Sequence, residues 1–199
     1  MAKDALIVID VQNDFCEGGA LAVSGGNEIV PIINKLILRF DRVILTQDWH
    51  TPAHSSFASS HPGKAPFETI AMPYGEQTLW PDHCIQGTNG ADFHPDLEWT
   101  KAELVIRKGF RPHIDSYSAF YENDHVTPTG LAGYLRERGI THVTLVGLAT
   151  DYCVAYSALD AATQGFSAEV LLDACRAIDL GGSLAAMTIT MRKAGVTLI

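Results

Sequence analysis

Five polar residues stand just beyond short apolar runs of the sequence: Asp10, Asp48, His50, Lys108 and Cys153. A thiol, two carboxylates, an imidazole and an amine are the side chains from which nucleophilic and metal-assisted hydrolysis is built. Cys153 ends the stretch Gly147-Leu148-Ala149-Thr150-Asp151-Tyr152-Cys153, between a strand-like run and a helical pattern. At the first turn of a helix, free backbone N–H groups and the helix dipole favour a thiolate. The same N–H groups, from Cys153 and Ala149, would form an oxyanion hole for a tetrahedral intermediate, where one donor is typically worth about 10²- to 10³-fold in rate. A thiol also needs a group to take its proton and return it to a leaving amine, and Asp10 is the candidate. Lys108 would balance the charges. On residue types alone a plainer alternative stands beside this one, in which Asp10 caps a turn, Lys108 is a solvated strand end and Cys153 is core.

Asp48-Trp49-His50 places two ligand-type side chains two apart, which on extended backbone turns both to one face and permits chelation. The long segment that follows offers a third ligand in His83 of Trp80-Pro81-Asp82-His83-Cys84, with His54 and His61 as weaker candidates. One carboxylate and two imidazoles leave open positions and suit one divalent ion, zinc, iron or manganese, without choosing among them. His94, His113, His125 and His142 read as structural or solvated.

The elements that must position these groups follow from the hydrophobic pattern. The apolar runs Ala5–Asp10, Arg42–Thr46, Leu104–Arg107, His142–Val146, Ala168–Leu172 and Val196–Ile199 are short and rich in Val, Ile and Leu, and predict six buried strands. Amphipathic stretches at Asn27–Phe40, Thr129–Arg138, Asp151–Gln164 and Gly182–Ala194 predict helices, with Gly139, Gly165 and Gly195 as stops. This alternation predicts an α/β fold: a Rossmann-like, mostly parallel six-stranded sheet with helices on both faces. Ligands of such sheets bind beyond the carboxyl ends of the strands, where the five polar residues fall. Residues 47–101 break the rhythm with Pro, Gly, Ser and His, and an irregular segment of that length inside a domain is usually functional.

The 199 residues are enough for a single domain spanning 1–199, with 47–101 as its metal-binding loop region. A net charge of −9 with only 14 basic residues argues against a nucleic-acid partner. Nothing in the chain is long and apolar enough to suggest a membrane span. Residues 1–10 run directly into a strand pattern rather than a signal peptide, so the expected location is cytoplasmic. The four cysteines include no CxxC pair and are expected as reduced thiols. Oligomeric state is open between monomer and homo-oligomer.

Six stretches, in order, carry a resemblance: Ile9-Asp10-Val11-Gln12-Asn13-Asp14-Phe15; Asp48-Trp49-His50; Trp80-Pro81-Asp82-His83-Cys84; Lys108-Gly109; Asp115-Ser116-Tyr117-Ser118-Ala119-Phe120; and Val146 to Val154. Together they resemble the nicotinamidase (pyrazinamidase) branch of the isochorismatase-like hydrolases. The resemblance implies hydrolysis of nicotinamide, and of pyrazinamide, in NAD salvage. It implies Cys153 as nucleophile, Asp10 as base and acid, Lys108 as third member of the triad, and Asp48, His50 and His83 as ligands of a metal that holds the pyridine nitrogen. Phe15, Trp80, Tyr117 and Ala149 match substrate-pocket positions. A cis peptide bond maps to Leu148–Ala149. Some relatives add a further loop ligand, which leaves His54 and His61 open. The nearest rival reading is another hydrolase of the superfamily acting on a carbamoyl or ureido compound.

Overall fold

A computed structural model describes residues 3–199. Among the described residues, eight strands form two sheets. The runs predicted as strands become β1 (Asp4–Ile9), β2 (Val43–Asp48), β5 (Leu104–Lys108), β6 (His142–Leu148), β7 (Ser167–Arg176) and β8 (Thr197–Leu198). They pair in the order β5-β2-β1-β6-β7-β8, every pair parallel. Between β7 and the edge pair, side chains of β1 alternate strictly: Ala5, Ile7 and Ile9 enter one core, Leu6 and Val8 the other. That period of two with both faces apolar is why these strands read as continuous hydrophobic runs.

Four helices cover the sheet: α1 (Val30–Ile37), α2 (Leu131–Glu137), α3 (Ala155–Thr163) and α4 (Ser183–Lys193). Leu131 and Leu135 of α2, Ala155, Ala158 and Ala161 of α3 and Met191 of α4 share the first core, whereas Val30, Ile33 and Ile37 of α1 share the second with Trp80 and Leu97 from the long loop. Gly139, Gly165 and Gly195 stand at positive φ just past their helices, as a left-handed stop requires.

Two departures matter for the site. The segment 47–101 is not wholly irregular: β3 (Thr69–Met72) and β4 (Gly75–Thr78) pair as an antiparallel hairpin. Residues of β3 alternate between exposed and half-buried, and β4 is polar with only Gln77 buried, so the hairpin lacked the apolar run that marks a core strand. The chain after β6 also enters α3 through a wide turn, Thr150–Val154, in which Val154 N–H reaches back five residues to Ala149 O. Single turns of this kind recur where backbone is shaped for a site.

Candidate active site

The order of the sheet reverses between β1 and β6, the place where an open parallel sheet leaves a crevice at its carboxyl edge. Asp10 leaves β1 there with φ of 47°. Its N–H donates to Thr46 Oγ1 at 3.1 Å, and the Thr46 hydroxyl donates to Asp10 Oδ1 at 2.7 Å, so β2 fixes the carboxylate. Lys108 ends β5, where the register sets it beside Asp48. Its four-carbon stem crosses the end of β2, and Nζ lies 2.8 Å from Asp10 Oδ2, 2.9 Å from Asp48 Oδ1, 2.9 Å from Ser116 O and 3.5 Å from Cys153 Sγ. All four side chains are buried. The bond between Leu148 and Ala149 is cis, where the resemblance placed it.

Burial sets the protonation states. It would lower the Lys108 pKa, but the carboxylates of Asp10 and Asp48 outweigh it and hold the ammonium well above its ordinary value. Burial raises Asp10, with Lys108 pulling the other way. Burial also pushes the Cys153 thiol well up, opposed by Lys108 and assisted by the two carboxylates. The helix-terminus argument alone predicts a thiolate; desolvation in the crevice wins over it, and the resting group is a thiol beside a carboxylate that can receive its proton. Asp48 behaves differently: burial would raise it, but His50 and Lys108 hold it well below the carboxylate range.

Asp48, His50 and His83 converge, their ligand-type atoms all within 4.8 Å of one another. His50 Nδ1 donates to Gly109 O at 2.9 Å and His83 Nδ1 donates to Pro81 O at 2.8 Å. A carbonyl only accepts, so each Nδ1 carries a hydrogen and each Nε2, once deprotonated, is the ring's ligand atom. Both Nε2 atoms face Asp48 Oδ2, at 3.1 and 3.4 Å. Three acceptors aimed at one point, with their outer hydrogen bonds already made, are the donor set of a divalent cation. The ligand set therefore fits the metal that the spacing predicted.

Of the weaker candidates, His54 is buried with its ring 4.5 Å from that of His50, and it forms a second such group with His50 and Asp115. Both of its nitrogens are engaged, Nδ1 with Ser56 Oγ at 2.8 Å and Nε2 with Arg111 O at 2.7 Å. His61 turns away, its Nε2 bonded to Ser55 O, and is in neither group. His113 and His125 are exposed, while His94 accepts from Asp96 N–H and His142 pairs with Glu169.

A small cavity opens onto Cys153, Asp48 and His83. Phe15, Trp80, Tyr117 and Ala149 line it as expected. Trp80 meets Tyr117 edge-on at 6.1 Å, and its Nε1 donates to the Tyr117 hydroxyl at 3.2 Å. Four lining residues carried no assigned role in the sequence: Leu21, Asp115, Tyr152 and Ile178. Tyr152 was discoverable as the neighbour of Cys153, and it packs edge-on against Trp80 at 4.9 Å. Asp115 lay inside a quoted motif, but its partners, Gln77 Nε2 at 2.8 Å and His50 Nε2 at 4.0 Å, come from distant segments.

Comparison with known proteins places this geometry. A model of the isochorismatase domain matches residues 4–199. A nicotinamidase of Acinetobacter baylyi is 59% identical over 180 residues, covering 90% of this chain and 84% of its own. The Escherichia coli nicotinamidase is 42% identical over 203 residues, covering 100% and 95%. Among solved structures, the nicotinamidase/pyrazinamidase of Acinetobacter baumannii aligns with a TM-score of 0.98 at 59% identity over 99% of this chain and 95% of that one. PnC1 from L. infantum in complex with nicotinate aligns at 0.86 and 38% identity, over 100% and 94%. The pyrazinamidase of Pyrococcus horikoshii in complex with zinc aligns at 0.80 and 34%, over 100% and 99%. With the family's domain matched from the first strand to the last residue and its sheet reproduced in these relatives, the chain belongs to the isochorismatase family.

Proposed function

We propose that this protein is an amidohydrolase that converts nicotinamide to nicotinate and ammonia, and pyrazinamide to pyrazinoate, through a thioester on Cys153. One observation carries the reading: a single buried ammonium, Lys108 Nζ, touches Asp10, Asp48 and Cys153, the last two of which line a small aromatic pocket. The names of the relatives support it, since those most similar are nicotinamidases and one structure holds nicotinate, the expected product.

The chemistry follows from the protonation states. The Asp10 carboxylate takes the Cys153 proton as Sγ attacks the carboxamide carbon. The N–H groups of Ala149 and Cys153 hold the oxygen that becomes negative. As the C–N bond breaks, Asp10 returns the proton to the departing nitrogen, which leaves as ammonia. Water then gives a proton to Asp10 and its hydroxyl to the thioester carbon; the C–S bond breaks, the proton returns to sulfur and the carboxylate product departs. Lys108 stays cationic throughout and offsets the negative charge that moves between Asp10 and Sγ. Phe15, Trp80 and Tyr117 hold the ring. Asp48, His50 and His83 would hold a divalent ion, zinc, iron or manganese, which supplies a Lewis-acidic point facing the ring.

The test is ammonia released by the purified, metal-analysed protein from nicotinamide, pyrazinamide and an aliphatic amide. Release from the two aromatic amides and not from the aliphatic one supports the reading. Release confined to a carbamoyl or ureido compound would overturn it in favour of another hydrolase of the family.

A further inference from the structure

Most walls of the pocket come from the ends of β1, β2, β5 and β6 with the segments that follow them and from the 79–84 loop, and one comes from the segment after β7. Ile178 lies two residues beyond the end of β7, on a strap that runs through 177–182 before α4 begins. The strap has little regular structure, a single short turn at Leu180–Gly182, and three of its residues stand at positive φ: Asp179 at 54°, Gly181 at 61° and Gly182 at 87°. Its moorings come from one side chain. Asp151 is 1% exposed, and its carboxylate accepts from Ile178 N–H at 3.0 Å, from Asp179 N–H at 2.8 Å and from the Ser183 hydroxyl. Among the described residues no cation pairs with it. Two backbone donors of the strap and the hydroxyl that opens α4 thus satisfy a buried carboxylate, the strong form of hydrogen bond.

Asp151 belongs to the wide turn that also carries Cys153. Nucleophile and mooring are therefore parts of one turn, and the strap's lining side chain is tied to the element that carries Sγ. We infer that Ile178 limits the size of the ring the pocket accepts, and that Asp151 is the positioning residue that holds Ile178 in place. The inference rests on the amidase reading for its substrate, an unsubstituted six-membered aromatic amide, while the wall itself is tested without turnover.

Trimming Ile178 to Ala removes the branched wall. Selectivity in apolar pockets changes by roughly 10- to 200-fold per methylene-sized difference. In Ile178→Ala, the kcat/KM ratio for 5-methylnicotinamide over nicotinamide should rise about 10-fold or more, with KM for nicotinamide raised and kcat changed much less. Asp151→Asn keeps the shape but turns an NH₂ group toward the strap's donors, and should shift the same ratio in the same direction. Ser183→Ala removes one donor from the strap side and gives a smaller shift, and it serves if Asp151→Asn does not fold. Adding Asp151→Asn to Ile178→Ala should shift the ratio little further. A second measurement needs no substrate: the rate at which Cys153 reacts with N-phenylmaleimide relative to iodoacetamide, located by peptide mapping, should rise in the variants. A ratio unchanged in Ile178→Ala, by turnover and by alkylation, overturns the inference. A wild-type protein that hydrolyses no aromatic amide overturns the amidase reading instead, and the alkylation ratio still decides the wall.

Discussion

Lys108 joins two pieces of chemistry that the sequence presents separately. Its ammonium contacts Asp10, the proposed base, Asp48, a proposed metal ligand, and the Cys153 thiol, so a charge change in any of them is felt by the others. A buried cation at this position stays charged, because its pKa lies well above 10.5. Asp10 is the group that titrates within reach of an assay. Burial raises its pKa from 3.8, and only the carboxylate form can take the thiol proton. As pH falls through the raised pKa the base is lost, so kcat/KM should decline on the acid side with a midpoint above 3.8; a midpoint at or below 3.8 would contradict the assignment. Cys153→Ala removes the proposed nucleophile and none of the proposed metal ligands. Turnover should fall by about 10⁴-fold or more while metal content, read by elemental analysis, stays at the wild-type level. Appreciable residual turnover in that variant would exclude a thioester route.

At the scale of elements, the parallel register of β2 and β5 does the positioning, since Asp48 and Lys108 are paired residues on adjacent strands. The chain turns after β5 at Gly109, with φ of 65°, and a Cβ built there would lie 2.5 Å from His50 Cε1 and 2.8 Å from its Nδ1. Gly109 O is also the acceptor that fixes the His50 tautomer. Gly109→Ala should therefore push the His50 ring aside and weaken metal binding by about 10- to 100-fold, as loss of outer support typically does. A metal titration of the folded variant checks this, and wild-type affinity would mean that the ring has room to move. β2 was legible because both its faces are buried, which leaves an unbroken apolar run, and half-buried β5 at the sheet edge was legible from its Leu-Val-Ile run. The hairpin at Thr69–Thr78 was not, since half of it faces solvent. Ile178 was hidden for a related reason. The run at 168–172 ends at polar Asp173, yet β7 continues to Arg176 after a register shift against β6, so the residue that follows its true end reads as distant from the site. Asp10, Asp48, Lys108 and Cys153 could be picked out by type and position after strands, whereas Asp115 depends on contacts with Gln77 and His50 that no local pattern encodes.

On the scale of the whole molecule, the proposed metal ligands would form a clip between the sheet and its long excursion. Asp48 ends a central strand and His50 follows it, while His83 sits on the loop that carries Trp80 and packs α1's side of the sheet. Free energy of metal binding to such a set is stability of the folded chain, because the unfolded chain does not hold the three ligands together. With free metal at about 100 times its Kd, the stabilisation is about 2.7 kcal/mol. For a chain of this size each kcal/mol moves Tm by about 2–4 °C, so chelation should lower Tm by about 5–11 °C. The shift should grow with the logarithm of metal concentration when metal is restored. Two variants separate this clip from a general effect of ions. Cys153→Ala, with all three ligands intact, should keep the metal-dependent rise, and His83→Ala, which cuts the loop's end of the clip, should lose most of it. A thermal scan in which His83→Ala responds to metal as the wild type does would show that the loop is not tied to the sheet through the ion.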